Sequence, residues 1–267
     1  MLKKFKYYIK KKFRKTPSGQ NAQIAKSKYC PVCDEQVIIS PFLYEYYFGK
    51  FFEHGFVYSP FLFETLNLKY YKCDNCGASD RERLIALFIK KHIGNKDNSL
   101  KLLDLAPAKS LSKFISRLKN INYRTADLFM DNVDDIVDIK DMHIYDNNSF
   151  DMFICSHVLE HIDDDLKAMS ELHRILKKNG VGILLVPILL SIEKSVENEE
   201  YLESEHLRWK YFGQDDHVRM YSKFDFTQRL KESGFHVEQL GVDYFSKTVF
   251  ENSGIDMKSV LYVVRPE

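Results

Sequence analysis

The pattern of apolar and polar positions is clearest between residues 150 and 187. Residues 150–155 form a nearly continuous apolar run, which is typical of a strand buried on both faces of a parallel sheet. Acidic residues 163–165 then favour a helix start, and apolar residues recur at helical spacing at Leu166, Met169, Leu172, Ile175 and Leu176. Lys177, Lys178 and Gly180 predict the helix end, and residues 181–186 a second buried strand. The segment is predicted to be one strand, helix, strand unit with a right-handed crossover.

The same pattern continues on both sides of this unit. We predict a helix over 80–94, strands at 100–106, 122–128 and 136–139, a crossover helix at 110–118, a helix at 223–234, and strands at 235–242 and 259–264. Strands that alternate with helices indicate an α/β fold with a mainly parallel sheet.

The composition supports a globular protein with a charged N-terminal arm. The 267 residues are 45% hydrophobic, no run is long enough for a transmembrane helix, and no signal peptide is recognised, so we expect a cytoplasmic protein. Residues 1–15 carry eight basic side chains and no acid, so the net charge of +1 minus eight leaves about −7 for the rest. Because the rest of the chain carries a net negative charge, it should bind a phosphate backbone poorly, and we do not expect nucleic acid to be the main partner.

The arm itself allows two interpretations. As a helix it aligns Leu2, Phe5, Ile9 and Phe13, which predicts contact of residues 1–15 with an anionic membrane, peripherally at the inner surface; the alternative is a frayed basic tail. We therefore assign residues 1–27 to a basic amphipathic arm and linker.

Four cysteines in two C-x-x-C pairs predict a metal site. Cys30, Cys33, Cys73 and Cys76 match the knuckles of a structural four-thiolate zinc, with free thiols or a redox pair as the alternative. Residues 28–79 would form this zinc-ribbon-like module, with an aromatic insert between the knuckles. We expect most of these rings to pack against each other, although some could line a substrate pocket.

Polar residues follow the predicted strands at the edge where an open parallel sheet binds ligands. Asp104, Asp127 and Asp138 lie at the ends of three successive strands, and Ser156 and His157 follow the strand at 150–155. A carboxylate after the second strand can accept hydrogen bonds from ribose hydroxyls. This order predicts a nucleoside-bearing cofactor.

The amino-acid sequence around these strand ends resembles that of a known protein family. The strand beginning FD, then SHVLEHIDD and a helix ending LHRILKKNG, is similar to class I S-adenosylmethionine (SAM) dependent methyltransferases of type 11, over about residues 80–267. The resemblance implies a Rossmann-like seven-stranded sheet with a terminal antiparallel hairpin. It also implies SAM contacts from Asp104, Ala106, Pro107, Asp127, Asp138, Ile139, Ser156 and His157, with Asp138 accepting the adenine amino group. One departure is the first turn, where Ala106, Pro107 and Ala108 replace the usual glycines.

The segment after the fifth strand commonly covers the substrate in this family. We predict that His217 deprotonates an acceptor and that Arg219 binds its carboxylate or phosphate. The alternative is an Asp216–Arg219 ion pair with His217 capping the helix that begins near Lys223. A further possibility is a second metal held by His157, Glu160, His161 and His217.

The function expected from the resemblance is SAM-dependent transfer of a methyl group to an oxygen or nitrogen of a small molecule, sugar or glycan precursor. Two alternatives stay open. One is an RNA methyltransferase that grips its substrate with the zinc module and the basic arm. The other is a non-catalytic methyltransferase-like interaction protein whose first turn has lost SAM binding.

Overall fold

A computed structural model describes residues 27–42, 44–93 and 99–267. Its strands are β1 (Lys28–Cys30), β2 (Glu35–Val37), β3 (Ile39–Ser40), β4 (Lys72–Cys73), β5 (Leu100–Leu105), β6 (Ile121–Asp127), β7 (Asp135–Ile136), β8 (Phe150–Ser156), β9 (Leu176–Leu185), β10 (Phe235–Leu240) and β11 (Leu261–Pro266). The helices are α1 (Tyr44–His54), α2 (Asp80–Ile93), α3 (Lys109–Ile115), α4 (Asp165–Ile175), α5 (Glu205–Phe212), α6 (Lys223–Glu232), α7 (Val242–Phe245) and α8 (Lys247–Ser253).

Seven strands form the central sheet, in the order β10-β11-β9-β8-β5-β6-β7. Strands β5 to β9 run parallel to one another, whereas β11 is antiparallel to both β9 and β10. The predicted α/β fold with a Rossmann-like seven-stranded sheet and a terminal antiparallel hairpin is therefore confirmed.

Several predicted boundaries were wrong by a few residues, and two of them bear on the site. Residues Leu176 to Gly180 were assigned to the end of the crossover helix, but α4 ends at Ile175 and β9 begins at once. Gly180 caps no helix, because it lies in β9, where an added Cβ would meet the Leu176 side chain at 2.6 Å. The third strand was predicted to reach Ile139, yet β7 ends at Ile136, so Asp138 lies two residues beyond it.

The core lies on both faces of the sheet and extends into the N-terminal module. The ring of Phe153 covers Gly182, where an added Cβ would come within 2.2 Å of the ring, so only glycine fits there. Buried Cys30, Cys73 and Ala78 of the module belong to the same apolar cluster as the sheet residues. The module and the sheet thus share one core.

Arg83 of α2 joins the module to the C-terminal part of the chain. Its side chain is fully buried, and its five N–H groups donate to the carbonyls of Tyr70, Tyr71, Ala78, Ser253 and Gly254. Helix α1 packs against α5 through aromatic rings, with Phe51 and Tyr47 facing the buried Trp209. These contacts fix the aromatic insert beside the ends of the parallel strands.

No helix in the described ranges combines the length and apolarity needed to cross a bilayer. The arm predicted to contact a membrane, residues 1–15, lies outside the described residues.

Candidate functional site

The sheet register brings the predicted cofactor residues to one edge. Leu105 at the end of β5 pairs with Ala126 of β6 on one side and with Cys155 of β8 on the other. Ala106, Asp127 and Ser156 are the next residues along these chains. The carboxyl ends of three parallel strands therefore meet here, where open α/β sheets bind ligands.

Two residues at this edge have a left-handed backbone without being glycine. Ala106 has φ of 51° and His157 has φ of 59°. Their amides continue the ladders, because Ala106 N donates to Ala126 O and His157 N to Leu185 O, at 2.9 and 2.7 Å. A side chain in this region costs about 1–2 kcal/mol, and such residues cluster at functional sites. Ala106 thus supplies the sharp turn that glycine usually provides.

Asp104 lies beneath this turn and is buried. Its carboxyl accepts a hydrogen bond from the hydroxyl of Tyr123 at 2.6 Å, and that hydroxyl is 2.7 Å from Ser112 Oγ. Burial raises the pKa of Asp104 to about 7, although the Tyr123 bond acts in the opposite direction. The nearby carboxylate of Glu82 adds to the rise, and it bonds Ser79 and Ser110.

The other two predicted carboxylates order their own loops. Asp127 Oδ1 accepts from the backbone N–H groups of Phe129 and Met130, both at 2.7 Å, and Asp138 Oδ1 accepts from Lys140 N at 2.8 Å. Each is half-buried, and no hydrogen bond from the described residues occupies its second oxygen. Pro107, Ile139 and Ser156 lie beside them, with Ile139 buried.

A cavity of about 100 Å³ opens next to His157. One side consists of residues from the N-terminal module, which are Phe42, Tyr47, Phe51, Phe63, Thr65, Leu66 and Tyr71. The other side includes Arg81, His157, Ile188 and His217 from the methyltransferase-like part. The rings of the aromatic insert therefore pack against each other as expected, and some of them also line this cavity.

Three polar groups of the cavity are positively charged or neutral, with His217 buried and Arg81 and His157 half-buried. The guanidinium of Arg81 lies 3.4 Å from the ring nitrogens of His157, and burial together with this cation lowers the pKa of His157. His217 Nδ1 lies 3.1 Å from Phe212 O, and burial lowers the pKa of His217 to about 4. Both imidazoles are therefore neutral at pH 7.

Arg219 lies close to His217 but its donors are engaged elsewhere. Its guanidinium donates to the carbonyls of Leu159, Ile162 and Asp163 and to the carboxylate of Glu197, the last at 2.5 Å. The alternative ion pair with Asp216 is not formed, because Glu197 and Asp165 are the acidic groups at Arg219 in the described part of the chain. The cap of α6 is Ser222 and not His217.

The four cysteines of the module converge. Cys30 and Cys76 sulfurs are 3.7 Å apart, those of Cys33 and Cys73 are 3.9 Å apart, and all four lie within 4.8 Å of one another. Tight turns with positive φ follow each pair, at Asp34 and Gly77. Zinc–sulfur bonds of about 2.3 Å in a tetrahedron require sulfurs about 3.8 Å apart, so the cluster has the dimensions of a zinc site.

Two site residues were not found by sequence reasoning. Arg81 and Tyr123 looked like a helix start and an alternating strand position, and the sequence holds no signal for their contacts with His157 and Asp104. Glu160 was named from the sequence, as one of four possible ligands of a second metal. Its burial, at 1% exposure, becomes visible only once the fold brings His217 to it.

Comparison with known proteins identifies the domain. The family model described as "Methyltransferase domain" matches residues 78–240. No curated protein matches the chain.

Several solved structures are similar at low identity. YcgJ from Bacillus subtilis is 14% identical with a TM-score of 0.43, over 68% of this chain and 98% of that one. A SAM-dependent methyltransferase from Archaeoglobus fulgidus is 12% identical with a TM-score of 0.44, over 72% and 95%. The 1,6-didemethyltoxoflavin-N1-methyltransferase from Burkholderia thailandensis, solved with S-adenosylhomocysteine (SAH), is 12% identical with a TM-score of 0.44, over 69% and 77%. Since the family model covers more than half of the chain, the protein belongs to the methyltransferase domain family.

Proposed function

We propose that this methyltransferase uses SAM to methylate an oxygen or nitrogen of a small molecule or of a sugar in a glycan precursor. The single observation that carries the SAM part is the edge at β5, β6 and β8, where the carboxyl ends of three parallel strands meet beside the left-handed Ala106, with Asp127 and Ser156 at the ends of β6 and β8. The roles of individual residues follow from the chemistry at that edge.

The cofactor residues divide by the part of SAM that each would hold. Asp127 would accept hydrogen bonds from the ribose hydroxyls through the oxygen that its own loop leaves available, and Asp138 would accept one from the adenine amino group. The turn at Ala106 and Pro107 lets the backbone approach the methionine end near Asp104. Ile139, Ser156 and His157 would contact the nucleoside and sulfonium from the neighbouring strand ends.

Bound SAM supplies a sulfonium methyl group, which an acceptor lone pair takes while the C–S bond pair stays on sulfur as the neutral thioether. The protein contributes alignment of the acceptor and exclusion of water. The rings of the N-terminal module that line the cavity, which we call the aromatic wall, would keep water out; they are Phe42, Tyr47, Phe51, Phe63 and Tyr71. Burial leaves His217 neutral with a lone pair on Nε2, so this nitrogen can take the proton that the acceptor loses.

The acceptor class is supported by the cavity. Aromatic rings line the cavity, and sugar rings stack well on aromatic faces, which favours a small molecule or a single sugar ring. Arg81 adds a cation whose side-chain donors contact His157 and could bind an anionic group of the acceptor. The charge of about −7 outside residues 1–15 disfavours a nucleic acid in this position.

We also propose a structural zinc ion at Cys30, Cys33, Cys73 and Cys76. Four thiolates close the coordination sphere, which suits a structural and not a catalytic ion. The ion would hold the two knuckles together and with them the base of the aromatic wall.

Calorimetric titration of the full chain with SAH tests the cofactor proposal. We expect binding by the wild type and a roughly 10- to 100-fold weaker affinity in Asp127→Asn and Asp138→Asn, because each loses a charged hydrogen bond worth about 1.5–3 kcal/mol. Asparagine retains an oxygen for the loop amides. Asp146→Asn, an exposed residue before β8 at the opposite edge, is the control. No heat from folded wild type would refute the proposal.

A further inference from the structure

A second group of potential metal ligands lies beside the cavity. The short 3₁₀ turn Leu159–His161 after β8 carries Glu160 and His161, and the segment after α5 brings His217 to them. One ligand atom from each of these three residues lies within 4.8 Å of the other two. Glu160 and His217 are 1% and 2% exposed, so the cluster is built into the fold.

The buried atoms of this cluster have no hydrogen-bond partner among the described residues. This holds for both carboxylate oxygens of Glu160 and for Nε2 of His217. His157 Nδ1 approaches Glu160 Oε1 to 3.2 Å without the geometry of a hydrogen bond. A buried carboxylate without donors is expensive by several kcal/mol, and nearly all such groups in folded proteins are paired or bind metal.

Outer contacts direct the histidine lone pairs towards Glu160. His217 Nδ1–H donates to Phe212 O, which fixes the tautomer with a lone pair on Nε2. His161 Nδ1 lies 3.4 Å from Asp216 O and 3.5 Å from Asp216 Oδ2, while its Nε2 is 4.0 Å from Glu160 Oε1. Metal-bound histidines commonly donate their second N–H to a carbonyl or carboxylate in this way.

The third imidazole of the group, that of His157, is not needed as a ligand. His157 contacts the guanidinium of Arg81, whose positive charge disfavours a cation bound at the same ring. Two histidines and one carboxylate would supply three ligand atoms, which leaves further coordination positions open. That donor set suits divalent transition metals such as Mn²⁺, Fe²⁺ or Zn²⁺.

We infer that Glu160, His161 and His217 bind a divalent transition-metal ion whose open positions face the cavity and receive an acceptor oxygen. His217 and His157 both line that cavity, so an acceptor within it can reach the ion. The inference rests on the proposed methyl transfer and narrows it to acceptors with a hydroxyl group, since a bound ion makes a hydroxyl more acidic. His217 Nε2 would then be a ligand of the ion, and this role would replace the role as a base that is proposed above.

Manganese binding tests the site separately from the thiolates. Mn²⁺ prefers oxygen and nitrogen ligands to thiolates. When zinc already occupies the four cysteines, Mn²⁺ should therefore bind at a site other than the thiolates. Titration with Mn²⁺ alone, followed by the paramagnetic resonance of the free ion, should show one bound ion per chain. Glu160→Gln and His161→Gln should each weaken Mn²⁺ binding roughly 100-fold or more. Replacing a residue that only hydrogen-bonds a metal ligand already lowers metal affinity about 10- to 100-fold, and losing a ligand should cost at least as much.

His143→Gln is the matched control, because His143 forms an exposed pair with Asp141 at 3.4 Å outside the cluster. It should bind Mn²⁺ as the wild type does. His161 is partly exposed at the rim, so its variant remains informative even where Glu160→Gln perturbs folding.

Calorimetry with SAH on the same samples separates the two proposals. Wild type that binds SAH but no Mn²⁺, or variants that bind Mn²⁺ like wild type, would overturn the metal site alone. Wild type that binds Mn²⁺ but no SAH would support the site and overturn the proposed SAM function.

Discussion

Replacing Arg83 tests how the N-terminal module is held to the rest of the chain. In Arg83→Met the aliphatic stem is kept and five hydrogen bonds are lost. Two of the five carbonyls retain a donor, because Ala78 O also accepts from Cys73 N and Gly254 O from Asn67 Nδ2. The carbonyls that lose their donor in the described part of the chain are those of Tyr70, Tyr71 and Ser253.

The magnitude follows from these three carbonyls. A buried acceptor left without a donor costs about 1–3 kcal/mol, and water reaching part of the site offsets some of it, so we expect a loss of roughly 3–5 kcal/mol. Asp80, buried nearby, also loses the field of the cation, which acts in the same direction. For a chain of this size the unfolding midpoint should fall by about 10 °C.

Urea and thermal unfolding followed by circular dichroism measure the change. Arg83→Lys retains the charge and can reach at most three of the acceptors, so its loss should be intermediate, about 1–3 kcal/mol. Arg265→Met is the control, because Arg265 has one partly exposed partner, Glu238, and should change stability by less than about 0.5 kcal/mol. A loss below about 1 kcal/mol in Arg83→Met, or an equal loss in both methionine variants, would refute the reasoning.

Three further outcomes follow from the structure. Burial raises the pKa of Asp104 from 3.8 to about 7, so between pH 4 and 7 the carboxyl is ionised in the unfolded chain and still protonated in the folded chain. The free energy of unfolding should therefore fall by about 1.4 kcal/mol per pH unit in this range. In urea titrations at several pH values, Asp104→Asn should show a smaller fall than wild type. Elemental analysis should find a zinc ion that depends on the thiolates: Cys73→Ser should lose one zinc per chain relative to wild type, and Cys155→Ser, whose thiol is buried in β8 away from the cluster, should lose none. Gly254→Ala should lower the free energy of unfolding by about 1–2 kcal/mol, because φ is +63° and the new Cβ would lie 3.0 Å from the Tyr70 side chain. Gly49→Ala in α1 should raise it by up to about 1 kcal/mol, because alanine favours a helix more than glycine does and the new Cβ meets no atom within 4 Å.

For each of these three predictions, one experimental result would contradict the reasoning. Parallel pH slopes for wild type and Asp104→Asn would mean that the buried carboxyl titrates normally. Zinc retained without Cys73 would remove the four-thiolate site. Equal effects of the two glycine substitutions would show that neither backbone angle nor contact decides them.

The sheet could be predicted because its strands carry their own signal. Residues 150–155 are apolar at nearly every position, as a strand covered on both faces must be, and the helix that follows has an acidic first turn. The end of that helix could not be predicted in the same way. Lys177 and Gly180 are typical of a helix end, but pairing of β9 with β8 from Leu176 onwards outweighs this local preference.

The candidate site was predictable where it depends on strand ends and not where it depends on distant contacts. Asp104 and Asp127 are fixed by the strand pattern, and the cysteine pairs by their spacing. The cavity wall depends on α1 packing against α5, residues separated by about 160 positions, and no local pattern encodes such a contact. For the same reason the sequence indicated aromatic packing but not which rings face the cavity.

The contacts of Arg219 connect the predicted catalytic segment with the turn that carries Glu160. Residues two apart in an extended segment share a face, so His217 and Arg219 both point towards the turn at Leu159–His161. Val218 N donates to Glu160 O at 2.9 Å, and Arg219 donates to three carbonyls of residues 159–163. These bonds hold the backbone of Glu160 and His161 at a fixed distance from the His217 imidazole. They support a positioning role for Arg219, since a guanidinium that satisfies three carbonyls and Glu197 has few donors left for an acceptor.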